Sequence, residues 1–250
     1  MGQDILALAA AAMMVGVTHT LLGPDHYLPF VVLARSRGWS RPKTALITLF
    51  CGLGHVASSV VLGTVGLAAG IVLARLEHVE SVRGDIAAWL LFVFGALYAL
   101  WGLWRFFSPG RHTHLHIHGD GKVHEHVHEH PQPHPADRIE HNTLHSHELQ
   151  KTAKSKTGST PWVLFIIFVF GPCEPLIPLL MYPAAEKNMA GAVVVAVVFS
   201  LATVATMLAV VMALSAGAEK LKLGMLDRMS HVIAGLTIAL CGAAILFLGL

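Results

Sequence analysis

The sequence predicts an all-α integral membrane protein with six transmembrane helices, arranged as a 3+3 inverted repeat in which helices 1 and 4 are broken. Three observations carry this expectation. First, 54% of the 250 residues are hydrophobic, 13% are charged and mean hydropathy is +0.63, which is too apolar for a soluble domain of this length. Second, several apolar segments are long enough to cross a hydrocarbon core of about 30 Å, which takes about 20 residues in a helix. Third, a Gly-Pro pair interrupts an apolar run in each half of the chain, at Gly23-Pro24 and at Gly171-Pro172. The strands of a membrane barrel would alternate apolar and polar residues, and these segments do not.

Six segments qualify as crossings: 4–23, 44–74, 86–107, 162–183, 189–217 and 229–250. No basic residue precedes Arg35, so 4–23 lacks the positive leader of a cleaved targeting peptide and is expected to remain. Residues 27–34, YLPFVVLA, are too short to cross and read as a short continuation after a break. Segment 44–74 exceeds one crossing and must tilt or extend past the membrane. Segment 162–183 contains FGPCEPLIPLLMYPA, in which Pro172, Pro175 and Pro178 interrupt an apolar run. The domains expected are residues 1–107 (first repeat), 108–161 (a cytoplasmic, disordered His-rich loop) and 162–250 (second repeat). GPDHYLPFVVLA at 23–34 aligns with GPCEPLIPLLMYPA at 171–184, and FCGLGHVASSVVL at 50–62 can be laid on FSLATVATMLAVV at 199–211.

Loop charges give the orientation. Arg35, Arg37, Arg41 and Lys43 make the first loop cytoplasmic. The second loop, 75–85, mixes Arg75 and Arg83 with Glu77, Glu80 and Asp85, and the fourth has Glu186 and Lys187; both face out. The third (Arg105, Arg111, Lys151, Lys154, Lys156) and the fifth (Lys220, Lys222, Arg228) face in. The sequence therefore predicts a multi-pass inner-membrane protein with both termini outside. Its partners are the lipid bilayer, metal ions and a second copy docked on the Gly- and Ala-rich faces of crossings two and five; a net charge of +2 gives no case for nucleic acid.

A charged side chain near the membrane centre costs about 2.5–3.5 kcal/mol or more, so such residues pair, bind an ion or line a water path. The polar residues of this kind are His19, Asp25, His26, His55, Cys173 and Glu174. Imidazole, carboxylate and thiolate form the ligand set of borderline transition metals. The helix breaks, Gly23, Pro24, Gly171, Pro172, Pro175 and Pro178, free backbone carbonyls nearby. His19 and His26 are seven apart, about 10.5 Å along a continuous helix, too far to share one ion. Either Pro24 draws them together or they are successive stations on a path. Ser58 and Ser59 lie a turn beyond His55 and either orient its ring or pack helices. Cys51 and Cys241 read as packing residues, and no CxxC pair suggests a disulfide framework. His78 and His231 read as structurally ordinary.

Twelve of the 17 histidines fall between His112 and His147, in RHTHLHIHGDGKVHEHVHEHPQPHP and the residues that follow. His-x-His alternation places imidazoles on one side of an extended chain. His112, His114, His116, His118, His124, His126, His128, His130 and His134 are thus an accessory metal tract that gathers or senses ions.

HTLLGPDH (19–26), LGHVASS (53–59) and the His-rich loop resemble the nickel–cobalt transporter group, which takes in the NicO-type and UreH-like membrane proteins of the LysE-like superfamily. That resemblance implies that His19, Asp25, His26 and His55 handle metal. The function expected is a secondary transporter of divalent transition-metal ions, nickel or cobalt first and zinc or iron as alternatives, with no organic cofactor. The His-rich loop points toward export, and no nucleotide-binding loop is present. Five residues rather than four separate His19 from Asp25, and GPCEP departs from the permease pattern. Two alternatives stand beside this reading. One is a transmembrane thiol–disulfide electron carrier of the cytochrome-biogenesis type, which the chain resembles in having Pro-Cys within a broken helix. The other is an exporter of a small organic or sulfur oxyanion, which needs a basic residue at midplane. No nucleophile–base arrangement predicts an enzyme.

Overall fold

The computed structural model describes residues 2–108, 112–117, 123–128, 159–186, 188–220 and 229–249. The chain divides into two compact units, residues 1–103 with 159–250, and residues 104–158. The expected positions His118, His130, His134, Arg111, Lys151, Lys154, Lys156, Lys187, Lys222 and Arg228 lie outside the described residues.

The first unit is all-α. Its helices are α1 (Gly2–Leu22), α2 (Leu28–Arg37), α3 (Arg41–Ala68), α4 (Leu73–Phe107), α5 (Thr160–Phe170), α6 (Leu176–Ala185), α7 (Met189–Lys220) and α8 (Ser230–Leu248). Five of them, α1, α3, α4, α7 and α8, are long and apolar enough to cross a membrane, and α5 and α6 are shorter apolar helices that follow one another. Leu6, Trp89, Leu97, Leu201 and Leu240 stand exposed on their outer faces, as lipid-facing side chains do. The protein is a multi-pass, all-α membrane protein.

Each half repeats one plan: a helix, a break, a ten-residue helix, then two long helices. The contacts repeat it as well. Helix α1 packs on α7 as α5 packs on α3; α2 packs on α7 as α6 packs on α3; α3 and α7 meet each other. Exchange of the halves maps each pairing onto its counterpart, and three crossings per half set the halves in opposite orientation.

The breaks follow from backbone chemistry. Gly23 is extended at φ −91°, ψ 94°, and Pro24 to His26 form one short 3-10 turn before α2 begins. In the second half α5 ends at Gly171, and Pro172 and Pro175 lack the N–H groups a continuing helix needs. Pro178 is not part of the break. It lies in the first turn of α6, where an N–H would have no helical partner. The first break follows 21 helical residues and the second only 11.

The expected loop at 75–85 is instead the first three turns of α4, a helix of 35 residues and about 52 Å at 1.5 Å per residue. Its mixed charges do not end the helix because Glu80 and Arg83, three apart, form an ion pair on one face. Helices α4 and α8 touch backbone to backbone: a Cβ at Gly95 would lie 2.3 Å from Ala239 N, and one at Gly235 would lie 2.2 Å from Ala99 N. The glycine face of α3 is also used inside the chain, Gly52 against Met207, Gly54 against Phe165 and Gly63 against Leu180. The expected dimer surface on crossing two is thus an intramolecular contact.

The second unit holds β1 (His112–Ile117) and β2 (Val123–His128), paired antiparallel. Both strands lie in the His-rich segment. The register sets His112 opposite His128, His114 opposite His126 and His116 opposite His124.

Candidate functional site

The site forms where the first break meets α3 and the second break. The 3-10 turn after Gly23 folds the chain back, and the His19 and His26 rings come to 4.7 Å between centroids. Of the two arrangements open from sequence, the break brings the histidines together. His55 enters from the middle of α3, with its ring 5.1 Å from that of His26 and 6.4 Å from that of His19. One ligand atom from each of His19, His26 and His55 lies within 4.8 Å of the others. His26 and His55 are buried, and His19 is half-buried.

Hydrogen bonds fix two of the three rings. His26 Nδ1 lies 3.1 Å from Gly23 O and 3.2 Å from Asp25 Oδ1. His55 Nδ1 lies 3.3 Å from Phe168 O, a carbonyl at the end of α5. A carbonyl oxygen only accepts, so both Nδ1 atoms donate, and in the neutral rings both Nε2 atoms keep a lone pair. Those Nε2 atoms are buried and have no hydrogen-bond partner. Gly171 leaves space for this arrangement, since a Cβ there would come 3.1 Å from His55 Nδ1.

Cys173 stands on the other side of His19, its Sγ 3.9 Å from His19 Nε2, and is completely buried in the gap between α5 and α6. Glu174 points away from the histidines and is exposed. A cavity of about 660 Å³ reaches His19, His26 and His55 and runs past Pro172, Glu174 and Asp85. Of the expected site residues, the three histidines converge, Asp25 supports His26 from beside it, Cys173 adjoins His19, and Glu174 lines the way in.

Sequence reasoning missed two residues. Glu80, almost fully buried, and Arg83 were assigned to a loop. Arg83 donates to Glu80 at 2.8 Å, to Ser58 Oγ at 2.8 Å and to the carbonyl of Val169 at 2.9 Å, tying α4, α3 and α5 together beside the second break. The i,i+3 spacing of Glu80 and Arg83 was the available signal. Ser58 takes this guanidinium and bonds the His55 carbonyl; the ring of His55 is oriented by Phe168 and not by the serines. His231 is ordinary as expected, bonded to Tyr98 Oη at 2.9 Å.

Residues 27–244 match the family model of the cytochrome c biogenesis protein transmembrane region. No curated protein and no solved structure matches the chain. The match overturns the resemblance to the nickel–cobalt transporter group. With it go the expected function as a secondary transporter of divalent metals, the leaning toward export, and nickel, cobalt, zinc or iron as the substrate. The physical reason for the error is that imidazole, carboxylate and thiol in a broken membrane helix serve more than one chemistry. The match covers most of the chain, through the second break and all of α3 and α7, so this protein belongs to the cytochrome c biogenesis transmembrane-region family.

Proposed function

We propose that this chain carries reducing equivalents across the membrane by thiol–disulfide exchange, with Cys51 and Cys173 as the redox pair. The observation that carries the reading is the position of Cys173. Its thiol sits in the gap between two half-helices, 3.9 Å from an imidazole nitrogen, and its neighbours Pro172 and Glu174 line a cavity. The family supports it too, because haem is attached to c-type cytochromes through cysteines of a C-x-x-C-H motif, which must be reduced.

We take Cys51 as the partner because its helix packs on both half-helices of the second break. Cys51 lies on α3, one turn before His55. Cys51 lies in the core cluster that also holds Cys241, and Cys173 in the neighbouring cluster with Val56 of α3, so the pair closes when the Cys173 segment moves. Cys241 lies on α8, which packs against α2. All three cysteines are free thiols.

In the cycle, Cys173 attacks an acceptor disulfide reached through the cavity, and its thiol proton passes to the leaving thiolate. Cys51 then attacks the mixed disulfide and releases the acceptor as a dithiol. The chain is left with a Cys51–Cys173 disulfide, having given up two electrons and two protons. A donor dithiol on the opposite face restores both thiols and becomes a disulfide itself. Thiolate attack through a mixed disulfide sets these steps. The break lets the Cys173 segment move, since Pro172 and Pro175 hold no helical hydrogen bond there.

We orient the chain in the inner membrane with both termini outside and the His-rich segment cytoplasmic, on the cluster of Arg35, Arg37, Arg41 and Lys43 at the α2–α3 junction. The test is reconstitution into vesicles that enclose a disulfide-bonded reporter peptide, with a membrane-impermeant dithiol protein outside. The wild type and Cys241→Ala should reduce the reporter, and Cys51→Ala and Cys173→Ala should not. Reporter reduction that survives both of the latter substitutions sinks the reading.

A further inference from the structure

We infer that His19, His26 and His55 form a site for one resident copper(I) ion, held by three neutral imidazoles inside the bundle. The thiol chemistry above leaves this cluster unexplained. Three ligand nitrogens lie within 4.8 Å of one another, closer than neutral rings without a shared partner need to be. Two of them, His26 Nε2 and His55 Nε2, are buried and unpartnered, a state a folded protein otherwise avoids. Their outer nitrogens are already committed, His26 Nδ1 to Asp25 and Gly23, His55 Nδ1 to Phe168. Metal-ligating histidines are held in this way: one nitrogen donates to a carboxylate or carbonyl, which fixes the ring and leaves the other nitrogen for the ion.

Charge and coordination select the ion. Among the described residues, Asp25 is the carboxylate in contact with the cluster, through His26. A monovalent ion and one carboxylate leave the buried site neutral. A divalent ion would leave a net positive charge in a low-dielectric interior, which is costly. Copper accepts imidazole ligands, and copper(I) is stable with three of them. Asp85 and Glu174 along the cavity place negative charge on the entry route, which favours a cation. The ion is a fixture of the site and not cargo.

The test uses the full chain, purified and loaded anaerobically with copper(I), then dialysed against a competing chelator strong enough to strip copper from a His-rich peptide of the sequence 112–134. The wild type should keep a single equivalent of copper per chain, and Cys173→Ser should keep it as well. His26→Ala and His55→Ala should lose it. X-ray absorption on the loaded wild type gives a readout independent of whether the variants fold, and it should show imidazole nitrogen and no sulfur. Retention of copper by both histidine variants, a sulfur ligand, or retention of zinc in place of copper overturns the assignment. The Cys173→Ser arm separates this result from the redox reading, because that substitution abolishes thiol exchange and leaves the ion.

Discussion

Among single side chains, Arg83 holds the most structure together. Its guanidinium compensates Glu80, 1% exposed, and also bonds Ser58 and Val169. Arg83→Ala should therefore cost about 3–5 kcal/mol, the range for leaving a buried charge without its partner. Thermal unfolding in detergent measures this, and Arg83→Ala with Glu80→Ala should cost less than Arg83→Ala alone. A second residue-scale prediction concerns Gly171. Gly171→Val puts methyl groups where a Cβ already lies 3.1 Å from His55 Nδ1, so it should lower stability by about 1–3 kcal/mol and displace the His55 ring. Unfolding of that variant, beside a substitution at the contact-free Gly217, checks it. His19, His26, His55 and Cys173 were legible as a group because polar side chains in apolar runs are expensive. Arg83 and Glu80 were not, because a mixed-charge stretch beside a crossing looks like any exposed loop until its three-residue spacing is read as helical.

At the scale of elements, hydropathy and the Gly-Pro pairs were enough to place five long helices and the broken fourth crossing. Their consequences were only partly legible. The spacing of His19 and His26 was compatible with two separated stations or one site, and only the 3-10 turn at Pro24–His26 decides between them. The start of α4 was misread because Leu73 to Asp85 carries five charged residues, Arg75, Glu77, Glu80, Arg83 and Asp85, of which Glu80 and Arg83 neutralise each other. Two predictions belong here. Pro172→Ala with Pro175→Ala lets α5 run on into α6, and should sharply reduce the yield of Cys51–Cys173 disulfide under mild oxidant, read by gel shift after thiol tagging. Gly95→Leu forces side-chain atoms toward the backbone of α8, which cannot yield as a side chain can, and should cost at least about 1–3 kcal/mol by unfolding.

At the scale of the whole molecule, two halves of one plan meet at α3 and α7, and the breaks of both halves face the same cavity. The inverted arrangement was foreshadowed by the two Gly-Pro runs, but what it serves was not, because carriers of ions and of electrons share this architecture. The ligand set alone favoured metal transport, and the family match over 27–244 corrected that. The central claim is that Cys51 and Cys173 cycle together between dithiol and disulfide. The most direct measurement is their redox state in growing cells, trapped by acid and read by mass tags, in Cys241→Ala so that only these two thiols report. The account predicts two populations, both thiols tagged and neither tagged, with the untagged form increasing when the cellular source of dithiol reductant is removed. Thiols tagged fully and equally under every condition, or one tagged without the other, would contradict it.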